Sequence, residues 1–124
     1  MAKVKQLTVA LENRPGALAQ MAQVLADAKV NVMALLGSTA GTQGSAQVVV
    51  DQISKAKKAL DKAGMTYTEA TLEQFELNNK PGVLAEVAGK LAKKGINIDC
   101  AYGAMPKGAR KGVLLVATSQ QGGS

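Results

Sequence analysis

The sequence predicts an α+β fold of two similar units in tandem, each a small antiparallel sheet covered by helices, with the second unit truncated after its third strand. Three observations carry this prediction. Asn13-Arg14-Pro15-Gly16-Ala17-Leu18-Ala19 returns 66 residues later as Asn79-Lys80-Pro81-Gly82-Val83-Leu84-Ala85. In both places a polar–apolar alternation precedes the segment and an apolar-periodic stretch follows it, so each copy is a strand-to-helix turn. The same offset then aligns Ile96-Asn97-Ile98 with Val30-Asn31-Val32, Gly103 with Gly37, and Leu114-Leu115-Val116 with Val48-Val49-Val50. A fixed internal period of this kind marks a duplicated structural unit.

In the first unit, expected over 1–70, residues 3–11 place Leu7, Val9 and Leu11 on one face and Gln6 and Thr8 on the other, the period of a half-buried strand. From Pro15 to about Ala28, Leu18, Met21, Ala22, Leu25 and Ala28 recur at helical spacing, which gives an amphipathic helix. Pro15 is expected at the first helical position, where its missing N–H has no partner to lose, with Gly16 letting another group approach the backbone closely. Residues 30–37 form a second strand, a Gly/Ser/Thr segment ending at Gly44-Ser45 turns the chain, and Ala46 to Val50 form a third. Asp51 is expected to cap a second helix carrying Ile53, Ala56, Leu60 and Ala63 inward, Gly64 ends it, and 65–70 supply a fourth strand.

The second unit, expected over 71–124, begins almost without a linker. Phe75 and Leu77 match Val9 and Leu11, and Leu84, Val87, Ala88 and Leu91 match Leu18, Met21, Ala22 and Leu25. Thr118 to Ser124 stand where a second helix belongs, and no final strand follows. A three-stranded sheet with one helix leaves apolar surface and a strand edge uncovered, so a second copy of the chain is expected to cover them.

Composition narrows the function. Apolar residues make up 47% of the 124-residue chain and aromatics only 2%, so aliphatic side chains do the packing. No run approaches the roughly 18 apolar residues of a membrane span, and the N-terminus has no secretory apolar region, so a cytoplasmic protein without membrane association is expected. With no His and a single Cys, Cys100, there is no Cys/His metal cluster, no internal disulfide and no Ser/His/Asp or Cys/His nucleophile. Asp51, Glu12, Glu73 and Glu76 are scattered, and no catalytic constellation or cofactor motif emerges. The net charge of +6 is spread over separate lysine groups and reads as solvated surface rather than a nucleic-acid footprint. Phe75, Tyr67 and Tyr102 do not form the aromatic cluster of an RNA-binding sheet.

A strand, then Asn-x-Pro-Gly-x-Leu-Ala, an apolar helix and a strand starting Val/Ile-Asn-Val/Ile resembles the ACT domain, a ferredoxin-like βαββαβ module that senses amino acids in many metabolic enzymes. The resemblance runs from Lys3 to Ala117 and occurs twice in register. It implies a ligand held where the strand-to-helix loop of one unit meets the second strand of a neighbouring unit. On this sequence those positions are Asn13, Arg14, Gly16, Ala17 and Leu18 with Asn31 and Val32, and in the copy Asn79, Lys80, Gly82, Val83 and Leu84 with Asn97 and Ile98. The first helical turn offers N–H donors to a carboxylate, Asn and strand backbone offer acceptors to an ammonium, and Arg14 or Lys80 adds charge. Each Asn also has a plain structural role open to it, bracing a turn or a helix end.

The expected function is therefore a non-catalytic amino-acid sensor that modulates a metabolic enzyme in trans or its own assembly as a homodimer. The alternative is a structural or assembly subunit that uses the same surfaces for protein–protein contact without a ligand.

Overall fold

The computed structural model describes residues 2–120. The elements run β1 (Ala2–Glu12), α1 (Ala17–Asp27), β2 (Val32–Ala40), β3 (Gln43–Val50), α2 (Ile53–Lys62), β4 (Tyr67–Asn78), α3 (Val83–Lys93), β5 (Ile96–Ala104) and β6 (Lys111–Gln120). Packing groups residues 5–70 as one unit and residues 2–4 with 71–120 as the other. The remainder of the polar tail, 121–124, lies outside the described residues.

In the first unit the strand order is β2-β3-β1-β4, the pattern of a ferredoxin-like βαββαβ fold. Leu7 stands opposite Val48 and Val9 opposite Ala46 across the β1–β3 ladder, which puts one apolar face under the helices. Met21 and Leu25 of α1 and Ala56 and Leu60 of α2 close over it, and all eight side chains are 0–1% exposed. Burial of a large aliphatic side chain contributes about 1.5–3 kcal/mol, so this cluster dominates the unit's stability. Val30 N–H donates to Leu25 O (3.0 Å) and Lys29 N–H to Ala26 O (2.9 Å), closing α1 with Lys29 in the left-handed region at φ 60°.

In the second unit the order is β1-β4-β6-β5, with residues 2–4 of β1 beside β4. Those residues fill the fourth-strand place that the sequence left empty, and Lys3 Nζ lies 3.5 Å from Glu73 there. The predicted fourth strand of unit one and first strand of unit two are one continuous strand, β4. A single helix, α3, covers this sheet, and its core of Leu77, Val83, Val87 and Leu91 stays 8–9% exposed around Val116.

Three local expectations are corrected. The α1 turn is not a helix starting at Pro15: Ala17 N–H donates to Arg14 O (3.3 Å), and Gly16 sits at φ 86°, ψ −10°. That is a type II turn with Pro second and Gly third, and the helix begins only after it. Gly82 repeats it at φ 89°. A Cβ at either glycine would meet nothing within 4 Å, so glycine is needed for backbone conformation rather than for close approach. Asp51 does not cap α2, whose N-cap is Gln52; its carboxylate instead accepts from Asn31 N–H (2.9 Å), and Asp51 N–H returns a bond to Asn31 O (3.1 Å).

The third correction concerns the repeat itself. Leu35 stands opposite Val48, but its counterpart Ala101 stands opposite Val116, so beyond the hairpin the offset is 68, not 66. Val116 therefore matches Val48, and Gly112 matches Gly44, whose added Cβ in each case would meet a carbonyl of the facing strand, Ala104 O and Ser38 O. The two extra residues lie in the β5–β6 connection. Side chains alternate with period two, so a two-residue slip leaves every residue on its original face and is invisible to pattern matching.

Candidate functional site

The first strand-to-helix turn opens onto a hollow of about 340 Å³ within the first unit. Of the predicted residues Asn13, Arg14, Ala17 and Leu18 line it, joined by Gly37, Ser38 and Thr39 of β2 and by Gly44 and Ser45 of β3. Glu12, which sequence reasoning set aside as a scattered acid, lines it too. Its carboxylate accepts from Arg14 Nε at 2.9 Å, and Arg14 also donates to Gln20 Oε1 at 3.2 Å. Glu12 and Arg14 are two residues apart at the strand's end, a spacing that was a readable signal for a paired acid and base.

Asn13 spends its amide on architecture. Its Nδ2 donates to Gly41 O (2.8 Å) and its N–H to Thr42 O (3.0 Å), which ties the turn to the β2–β3 hairpin. Gln20 N–H is the first α1 donor to find a helical acceptor, Gly16 O (2.9 Å). The N–H groups of Leu18 and Ala19 take no backbone partner among the described residues, as expected of a helix start.

Asn31 and Val32 do not join this hollow. They begin β2, and Ser38 is six residues further along it, roughly 20 Å at about 3.3 Å per residue. Asn97 and Ile98 begin β5 in the same way, and Asn97 Nδ2 donates to Asp99 Oδ1 (2.7 Å), which also accepts from Ser119 Oγ (3.0 Å). Within one unit, therefore, the two predicted groups of site residues sit at opposite ends of the second strand.

The corresponding hollow of the second unit, about 320 Å³, has a different wall. Of the predicted residues only Leu84 lines it, with Leu77, Tyr102, Met105, Val113 and Leu114 among its neighbours. In structural register Ser38, Thr39 and Ser45 of the first hollow are replaced by Ala104, Met105 and Val113. Met105 lies against Gly112, where an added Cβ would collide with its Sδ. Burial pushes the Tyr102 hydroxyl up to about 12, with the nearby Cys100 adding to the shift. Asn79 and Lys80 stand outside the wall. Asn79 Nδ2 donates to Pro106 O (3.0 Å) and Ala109 O (2.8 Å), and its N–H donates to Arg110 O (2.9 Å). Val83 is core, and Gly82 serves the turn.

Among the described residues no group of three or more His, Cys, Asp or Glu side chains is placed to hold a metal ion, and no helix is long and apolar enough to cross a membrane.

Comparison with known proteins agrees with this architecture. No curated protein matches the chain in sequence. Among solved structures, a protein from Bacteroides thetaiotaomicron is similar with TM-score 0.89 and 28% identity, covering 95% of this chain and 81% of that one. The ligand-free regulatory subunit of aspartate kinase from Thermus thermophilus gives TM-score 0.67 at 17% identity over 92% of this chain and 82% of that one. The regulatory subunit of aspartate kinase from Thermus flavus gives 0.59 at 19% identity over 93% and 85%. At such identities the two Thermus proteins show a shared fold. The family model described as the ACT domain pair matches residues 2–122, and with two strand-turn-helix units in the described fold this chain belongs to the ACT domain pair family.

Proposed function

We propose that this protein is a non-catalytic, cytoplasmic regulatory protein that senses an amino acid in the hollow of its first unit. The observation that carries this is the Glu12–Arg14 pair at the rim of the first unit's hollow. A zwitterion presents the complementary charges. Its ammonium can take Glu12 from Arg14, its carboxylate can take Arg14 and the spare N–H groups of Leu18 and Ala19, and Thr39, on the same sheet face as Leu11, can meet a polar side chain. An exposed ion pair contributes only about 0–1 kcal/mol, so opening it to a ligand costs little. Asn31 and Val32 enter such a site only when a second copy presents them, which is one reason to propose a homodimer. The thin cover over the second unit's core is another. The fold shared with regulatory subunits of aspartate kinase supports action on a separate metabolic enzyme, with ligand shifting the packing of the pair.

Calorimetric titration of the twenty amino acids is expected to find one or a few binders with Kd between about 1 μM and 1 mM. E12Q and R14Q are each expected to weaken the binder about tenfold. No binder at all, or affinity indifferent to both variants, contradicts the proposal and favours the assembly reading, in which a metabolic enzyme stays on the chain whether or not amino acids are added. Light scattering at micromolar concentration is expected to give a dimer, and a monomer refutes that part.

A further inference from the structure

We propose that the hollow of the second unit is a distinct site for small monocarboxylates that carry an aliphatic or aromatic tail and no ammonium group. The inference deepens the reading above, resting on it in treating these hollows as ligand sites, and assigns the second a different chemistry.

The wall has lost what an amino acid's polar groups need. Thr39, which shares the helix-side face of the sheet with Leu11, is replaced in register by Met105, packed against the second core. Asn78 stands in place of Glu12, so the rim has no carboxylate to receive an ammonium. Burying an ammonium without such a partner is strongly unfavourable, whereas an apolar tail gains from Leu77, Leu84, Met105 and Leu114. The hollow's 320 Å³ lies at the small end of the roughly 300–1,000 Å³ of ligand sites, which suits a compact acid.

The rim supplies charge of one sign. The three hydrogen bonds from Asn79 pin the 105–110 connection, which leaves directly from Met105 in the wall, against the second turn. This fixes Lys107 and Arg110 of the connection near Lys80, which is next to Asn79 in the chain. Lys107 is only two residues beyond Met105, about 7 Å of chain at most. All three cations are exposed, and none forms an ion pair among the described residues, while the adjacent Lys111 is neutralised by Glu76 at 3.1 Å. Arg14, by contrast, is already paired with Glu12. An apolar pocket beside uncompensated cations complements an apolar anion.

The test uses nuclear magnetic resonance on the full ¹⁵N-labelled chain, titrated with 4-methylpentanoate and 3-phenylpropanoate and with their parent amino acids, leucine and phenylalanine. The acids are expected to shift the amides of Leu84, Tyr102, Met105 and Val113 and to bind there at least about tenfold more tightly than the parents. The double variant K107Q/R110Q is expected to weaken the acids about tenfold with no change in melting temperature, since neither side chain has a partner to lose. Acids that shift none of these amides, parents that bind there equally well, or affinity unaffected by K107Q/R110Q overturns the proposal. Shifts at Asn13, Ser38 and Ser45 on adding amino acids report the first hollow separately, so either reading can fail while the other stands.

Discussion

The two units share a turn and differ in almost everything the turn serves. Gly16 and Gly82 have the same left-handed conformation, and Asn13 and Asn79 each brace a hairpin connection. Yet two helices seal the first core, where Leu25 is 0% exposed, and one helix covers the second, where Leu91 at the same repeat position is 8% exposed. One hollow is rimmed by a paired acid and base, with Thr39 in its wall. The other is apolar beside free-standing cations. Backbone geometry is thus the conserved part of the duplication inside this one chain, and the chemistry mounted on it is the part that moved.

Substitutions at matched positions sharpen that contrast. The largest effect is expected for L25A against L91A, followed by urea denaturation. Leucine-to-alanine changes in cores cost about 2–5 kcal/mol, with the better-sealed site at the upper end. L25A should therefore cost about 4 kcal/mol and L91A about 2; equal losses would mean that the second core is covered as well as the first.

Next come G16A and G82A. Each forces a Cβ into the left-handed region without any clash, so each should cost about 1–2 kcal/mol, and by the same amount. A much larger loss at one of them would show that its turn carries more than backbone conformation.

The third concerns the helix ends. Lys29 occupies at φ 60° the place that Gly95 takes at φ 73° in the copy and Gly64 takes at the end of α2. K29G should stabilise the protein by about 0.5–1 kcal/mol, the left-handed strain of lysine less the entropy cost of glycine. A destabilised variant would show that the lysine side chain itself matters.

The smallest effect belongs to the first unit alone. Lys57 hydrogen-bonds Glu69, which raises the lysine's pKa above 10.5 and, with Lys5 also nearby at 3.6 Å, lowers the carboxyl's below 4.5. The Glu69 contribution to stability is present above pH 4.5 and lost as pH falls through its lowered folded value. The Lys57 contribution is present below pH 10.5 and lost as pH rises through its raised folded value. K57M should flatten both ends of the stability profile slightly, and an unchanged acid limb would show that the pair is too well solvated to matter.

Much of this was legible in the sequence because it follows from periodicity. The duplication, the three helices, the strands apart from the reading of β4 as two, and the inward faces carrying Leu7, Val9, Met21, Leu25 and Leu60 were read from spacing. Two kinds of feature were not. A slip by two residues in β6 preserves the inside–outside pattern, so the sequence match of Leu114 to Val48 looked sound while the ladder pairs Val116 there. And the roles of Asp51 and residues 2–4 depend on neighbours distant in the chain. Asp51 gains its meaning from Asn31, and residues 2–4 from Glu73. The Pro-Gly pair was readable as a type II turn but was assigned to the helix start, because proline is at home in both settings.

The most direct test is a crystal structure of the protein soaked with a pool of amino acids. The account predicts density for one amino acid in the first hollow, its ammonium on Glu12 and its carboxylate on Arg14, with the second hollow free of it. An amino acid seated in the second hollow instead, or in both alike, would contradict the claim that the two copies have parted in chemistry.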